Sequence, residues 1–221
     1  MARQQQQLHP SIINGLYAIT PDMMRTEELV DKVQKVLQGG VKLLQYRNKS
    51  ANCGLLREQA QALLSLCRSY QVPMIVNDDL DLALEIDADG VHLGQDDLVR
   101  CEVKERLIGY DKILGISCYN RLDLALQAQR FCADYVAFGA FFSSATKPDA
   151  VKVTVDWVDQ ARKQIAIPIV GIGGIRLTNA TAVIQSGCAA IAVSDDLFNT
   201  RDIQLRTKQL VQLFKDVQLV R

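Results

Sequence analysis

No field of one sign surrounds this chain: 25 basic residues balance 25 acidic ones among 221, for a formal net charge of zero. That removes any general attraction to nucleic acid or an anionic membrane, so a charged ligand has to be recognised locally. No apolar run approaches the ~18 residues needed to cross a bilayer, and the opening MARQQQQLHPS lacks the apolar core of a signal peptide. The six cysteines, Cys53, Cys67, Cys101, Cys118, Cys132 and Cys188, form no CxxC pair. Scattered through apolar patterns, they read as reduced packing residues of a cytoplasmic protein, not as a metal site or a disulfide framework. Histidine is nearly absent: His9 belongs to the Gln-rich start, which leaves His92. Nor is there a low-complexity linker, so the expected organisation is a flexible tail over residues 1–14 and one domain over residues 15–221.

What is present is alternation. GLYAIT (15–20) is a short β-rich run closed by Pro21, and the segment after it carries Leu29, Val33, Val36 and Leu37 at helical spacing until Gly39-Gly40. Strands are then expected at 42–49, 73–76, 90–94, 113–118, 134–140, 167–174 and 189–194, with helices between them and a last helix over about 203–219. A doubly wound open sheet could share this pattern. Eight regular βα units with short connections in little over 200 residues favour a closed, single-domain (β/α)8 TIM barrel, in which chemistry gathers at the carboxyl ends of the strands. The polar residues fall there: Gln45, Arg47 and Lys49; Asn77 and Asp78; Gln95 and Asp97; Ser117; Ser144, Thr146 and Lys147; Gly173 and Gly174; Ser194.

The centre of the pattern is VPMIVNDDLDLALEIDADGVHLGQDDL (72–98), where two apolar runs each stop at carboxylates with a helical stretch between them. A right-handed crossover lays the two strand ends side by side, roughly 5 Å apart. Two acidic clusters then face one cleft, and a hard cation with oxygen ligands relieves their repulsion. Helix capping by Asp79, and by Asp96 or Asp97, accounts for one acid of each pair and leaves the other for metal. Mg²⁺ is the expected ion, because it binds through one or two carboxylates plus phosphate oxygens. Gln45, Arg47 and Lys49 stand at i, i+2 and i+4, so an extended chain turns all three to one face, the barrel mouth. The Arg fork and the Lys point charge suit diphosphate oxygens. His92 reads as a packed, hydrogen-bonded core histidine pointing into the barrel. GIGGI (171–175) ends the seventh strand and Val193-Ser194 the eighth, where barrels commonly hold a phosphate on backbone N–H groups. SSATK (143–147), after the sixth strand, is a candidate lid or clamp.

QYRNK, VNDD, GVHLGQDD, GIS, DYVAFG followed by ATK, and IPIVGIGGI occur in register over about residues 15–200. In these motifs the chain resembles the thiamine phosphate synthase family. The resemblance implies a (β/α)8 barrel that joins 4-amino-5-hydroxymethyl-2-methylpyrimidine diphosphate to thiazole phosphate, releasing diphosphate by a dissociative, Mg²⁺-dependent substitution. It implies that Gln45, Arg47, Lys49, Asn77, Ser117 and Lys147 hold the pyrimidine diphosphate, with Arg47, Lys49, Ser117 and Lys147 as the catalytic set. Asp78 and Asp97 would bind Mg²⁺, and Ser144, Thr146, Gly174, Val193 and Ser194 the thiazole phosphate. The expected partners are these small molecules, with no nucleic acid and no membrane, and a homo-oligomer is left open. The alternatives are a thiazole tautomerase on the same barrel and a non-catalytic sensor of thiamine precursors. A sugar-phosphate aldolase would need a Schiff-base lysine inside a strand, and none is offered. Three departures from the family pattern stand out: Ser143-Ser144 for Pro-Thr, GISCYN for a small residue and histidine after the serine, and Asp195-Asp196 after Ser194. Two carboxylates beside a phosphate site repel it unless they turn outward or cap a helix.

Overall fold

A computed structural model describes residues 12–94, 103–107, 110–143 and 152–219. Among them are eight strands: β1 Gly15–Ile19, β2 Leu43–Tyr46, β3 Met74–Asn77, β4 Gly90–Leu93, β5 Ile113–Tyr119, β6 Tyr135–Phe138, β7 Ile169–Ile172 and β8 Ala190–Val193. The helices are α1 Thr26–Gln38, α2 Cys53–Ser69, α3 Leu80–Glu85, α4 Val103–Arg106, α5 Leu122–Arg130, α6 Val155–Arg162, α7 Ala180–Gln185, α8 Asp195–Phe198 and α9 Ile203–Leu219. All strand pairs are parallel, and β1 pairs with both β2 and β8, so the sheet closes on itself in chain order. The expected (β/α)8 barrel is the observed one.

Alternation along each strand splits the core in two. One set of side chains, among them Tyr17, Leu43, Ile75, Ile113, Tyr135, Ala137, Val170 and Ala190, fills the barrel interior. The other set packs between barrel and helices, where α1 contributes Leu29, Val33, Val36 and Leu37 as its spacing requires. Side-chain caps start several helices: Asn52 Oδ1 accepts from Leu55 N at 3.0 Å, Asp79 Oδ1 from Leu82 N at 2.8 Å and Thr154 Oγ1 from Trp157 N at 3.3 Å.

Five helix-to-strand returns share one device. Gly40, Gln71, Asp87, Cys132 and Gly187 all have positive φ, and each lies three residues before the first residue of the next strand. A left-handed residue ends the helix and aims the chain back at the barrel. At two of these returns an aspartate clamps the neighbouring strand. Asp89 donates its N–H to Met74 O and accepts from Met74 N, and Asp134 does the same with Leu114.

The sixth and seventh strands are shorter than expected, Tyr135–Phe138 and Ile169–Ile172, and two larger departures from the sequence reading stand out. The second strand stops at Tyr46 and does not run to Lys49. The second is α8, an additional short helix between β8 and the last helix. Ile13, within the span read as a tail, is buried among the interior side chains. No described helix is long and apolar enough to cross a membrane. Of the described cysteines, Cys67, Cys118 and Cys188 are buried as expected and are free thiols, as is the exposed Cys53, while Cys132 is exposed. Burial pushes the Cys67 and Cys118 thiols up to about 12 and Cys188 up to about 11, which keeps them protonated.

Candidate active site

The rim above β2 is held from below by buried polar groups. Gln59 is fully buried on α2, where its Oε1 accepts from Tyr46 Oη at 2.9 Å and Asn48 Nδ2 at 3.0 Å, and its Nε2 donates to Met23 O at 3.0 Å. Thr20 Oγ1 accepts from Arg47 N and donates to Arg47 O, both at 2.9 Å, tying the end of β1 to the residue just past β2. Asp22 then gathers the loop: its carboxylate accepts from Arg47 Nη1 at 2.8 Å, Lys49 N at 3.1 Å and Ser50 Oγ at 3.3 Å. Arg47 and Lys49 therefore reach the mouth through an anchored loop, not as alternate residues of one strand.

Beside them, β3 ends at Asn77. Asp79 caps α3, as expected of one acid of the pair, which leaves Asp78. Asp78 has φ +60 and donates its N–H to His92 O at 2.9 Å across the β3–β4 boundary. A left-handed non-glycine residue held by its neighbours is a strained geometry that clusters at functional positions. Its carboxylate meets Lys49 Nζ at 3.2 Å, with the two side chains 40% and 58% exposed. A pair this exposed adds at most about 1 kcal/mol to stability, so folding gives little reason to keep both charges there. Arg47, Lys49, Asn77 and Asp78 line a groove of about 440 Å³ between the ends of β2 and β3. A slightly larger cavity, about 470 Å³, opens at the opposite end of the barrel around Ile13, Pro168 and Val217, away from these groups.

Under the mouth, five polar side chains join across the barrel interior. Gln45 Nε2 donates to Tyr17 Oη at 2.9 Å, Tyr17 Oη meets Tyr135 Oη at 2.9 Å, and Tyr135 Oη meets His92 Nδ1 at 2.9 Å. His92 Nε2 meets Ser117 Oγ at 2.8 Å. The imidazole stacks on the Tyr135 ring, with centroids 5.5 Å apart and planes 25° apart. Gly115 makes room for this ring, since a Cβ there would lie 2.1 Å from Tyr135 Cζ. His92 is the packed core histidine its strand parity predicts, and burial lowers its pKa from 6.5 to about 4 against a smaller opposing pull from Asp78. Burial also raises both tyrosine pKa values, so the row is uncharged at neutral pH.

On the far side, Gly173 and Gly174 have φ +100 and +61, and a Cβ on Gly174 would sit 2.7 Å from the carbonyl oxygens of Phe142 and Ser143. Backbone packing against the start of the loop after β6 thus requires glycine here. The Val193 side chain packs in the layer between barrel and helices, so it can meet a ligand only through its backbone. Ser194 stands at the head of α8. The two acids that follow are already engaged. Asp196 accepts from Leu177 N at 2.9 Å and Arg206 Nη1 at 2.6 Å, while Asp195 accepts from Asn199 Nδ2 at 2.6 Å and pairs with Arg176 at 3.6 Å. Both carboxylates serve the rim loops and are compensated by arginines. Asp97, Ser144, Thr146 and Lys147 lie outside the described residues. Among the described residues no three His, Cys, Asp or Glu side chains converge as a metal cluster.

Sequence reasoning missed Thr20, Asp22, Tyr17 and Tyr135. The first two are polar residues at a strand end, the signal used for every other strand. The tyrosines share the inward parity of an otherwise mostly aliphatic interior. No lysine lies in any of the eight strands, as argued against an aldolase.

With the mouth, groove and interior row in place, the relatives decide between readings. The sequence profile of thiamine monophosphate synthase matches residues 16–197. The chain belongs to the thiamine monophosphate synthase family. It is 50% identical over 203 residues to thiamine-phosphate synthase of Nitrosospira multiformis, covering 92% of this chain and 86% of that protein. With the enzyme of the same name from Methylobacillus flagellatus it shares 51% identity over 202 residues, covering 91% and 96%. The solved structure of thiamine phosphate pyrophosphorylase from Pyrococcus furiosus superposes with a TM-score of 0.82 at 32% identity, covering 93% of this chain and 97% of that one. In this member of the thiamine monophosphate synthase family, the groove between the ends of β2 and β3 and the glycine turn after β7 stand at opposite sides of one barrel mouth.

Proposed function

We propose that this protein is a thiamine phosphate synthase, a transferase that joins the pyrimidine diphosphate to thiazole phosphate and releases diphosphate. The observation that carries the reading is the Lys49–Asp78 pair, which brings a cation and a carboxylate from neighbouring strand ends into one groove in a chain of this family. Arg47 and Lys49 bind the diphosphate oxygens, with Asp22 holding Arg47 in place. They act where negative charge grows as the C–O bond to diphosphate breaks. The electron-rich aminopyrimidine carries the positive charge left behind, and the thiazole nitrogen attacks it. No protein nucleophile takes part.

Asp78 suits Mg²⁺ on the chemistry of its donors: a part-exposed carboxylate with Asn77 beside it is a hard oxygen set open to phosphate oxygens. Asp97 is the second proposed ligand. When bound, the ion offsets charge on the leaving diphosphate. Gln45, Asn77, Ser117 and Lys147 complete the pyrimidine diphosphate site. Ser144, Thr146, Gly174, Ser194 and the backbone of Val193 form the thiazole phosphate site. The free thiols support a cytoplasmic setting.

The test is diphosphate release by the purified protein, given the pyrimidine diphosphate with and without thiazole phosphate, in Mg²⁺ and in EDTA. Release that requires both substrates and the metal, with thiamine phosphate formed, is the expected result. Absence of release with both substrates and Mg²⁺ overturns the reading. Asp78→Ala is expected to abolish turnover in a folded barrel, and undiminished turnover would remove Asp78 from the metal site.

A further inference from the structure

The interior row has a direction that donor and acceptor counting reveals. Gln45 Nε2 can only donate, so it fills an acceptor position on Tyr17 Oη. Among the described residues Tyr17 Oη has one other partner, Tyr135 Oη, and its single proton goes there. Tyr135 has then received a proton and gives its own to its remaining partner, His92 Nδ1. A neutral imidazole with Nδ1 accepting carries its proton on Nε2, which donates to Ser117 Oγ. Ser117 is part-exposed at the barrel mouth, and its own proton is left for a ligand. The opposite order reverses every one of these bonds and also turns the Gln45 amide to offer its oxygen to Tyr17. The row is therefore all-or-none: the amide orientation on β2 and the hydroxyl orientation on β5 are set together.

We propose that Tyr17, Tyr135 and His92 are positioning residues that fix Ser117 as a hydrogen-bond donor and leave the Gln45 carbonyl oxygen as an acceptor, so that both reach the pyrimidine diphosphate already oriented. The row is nearly fully buried from Gln45 to His92, with exposures of 3%, 1%, 0% and 6% along it, so water does not compete for the orientation. A site whose hydroxyl and amide are oriented before binding avoids reorienting them in the complex.

The proposal rests on the transferase reading for its kinetic consequence, but its core is testable on the protein alone. Imidazole ¹⁵N spectra, with His92 distinguished from His9 by His92→Gln, are expected to show neutral His92 protonated on Nε2. A proton on Nδ1 overturns the proposal whether or not the protein turns over. Tyr135→Phe removes the donor to Nδ1 and is expected to give a mixture of tautomers. It should also raise KM for the pyrimidine diphosphate about tenfold, the scale of one lost hydrogen bond, with KM for thiazole phosphate unchanged. A general packing defect would move both KM values, and that result, like an unchanged pyrimidine diphosphate KM, overturns the positioning role. Should Tyr135→Phe fail to fold, Tyr17→Phe decides: it keeps the Nε2 proton, because Tyr135 still donates, and raises the pyrimidine diphosphate KM alone. An unmodified protein with the expected tautomer and no turnover would refute the transferase reading and leave the proton order standing.

Discussion

Protonating His92 places a charge in the barrel interior and turns its Nδ1 from an acceptor for the hydroxyl of its stacked neighbour Tyr135 into a second donor facing it. Burial holds the folded imidazole at a pKa of about 4, against 6.5 in the unfolded chain, and Asp78 recovers only part of the difference. As pH falls through 6.5 the unfolded chain takes up the proton first. The stabilisation is complete above about pH 6.5 and has gone below about 4, amounting to roughly 3 kcal/mol. Urea midpoints measured from pH 7 to pH 4 should therefore fall more steeply for the natural chain than for His92→Gln, and equal slopes would show that His92 does not titrate in this way. At this scale the sequence was informative about His92 and Asp79, because strand parity and capping are local rules. It was silent on the row through Tyr17 and Tyr135, because those partners stand 118 residues apart and meet only once the barrel closes.

Elements were legible wherever period and punctuation agreed. The four apolar positions of α1 and the span of α9 come out as the spacing implies. The end of β2 does not, since KLLQYRNK alternates well enough to continue as a strand. What ends it is a tertiary competitor: Asn48 turns inward to Met23 and Gln59, and Asp22 takes the N–H of Lys49. The short helix α8 was hidden for a similar reason. Its two acids look misplaced beside a phosphate site until Leu177 and the two arginines are seen to take them up. Asp196 braces three elements, joining the head of α8 to the turn after β7 and to α9. Asp196→Ala leaves Leu177 N and Arg206 without that partner. It is expected to lower stability by about 2 kcal/mol and to raise KM for thiazole phosphate while sparing that for the pyrimidine diphosphate. Equal rises in both would show that the brace serves the whole barrel and not the turn.

For the whole molecule, closure makes cooperativity the expectation. Each strand has two neighbours, and the only tryptophan, Trp157 on α6, packs edge-on against Phe138 of β6 with ring centroids 4.5 Å apart. Tryptophan fluorescence and far-UV circular dichroism should give the same urea midpoint, and separate midpoints would mean that the β6–α6 unit comes away before the rest. The interior row carries a further consequence, this time for inheritance. Gln45, Tyr17 and His92 come from the first four strands, and Ser117 and Tyr135 from the last four. Three of its four bonds cross that midline. A recombination event between β4 and β5 would hand the two groups to different parents. Chimaeras of relatives would keep the row only where both parents supply matching partners, so the two half-barrels of this protein are exchangeable only among relatives that carry the same five residues.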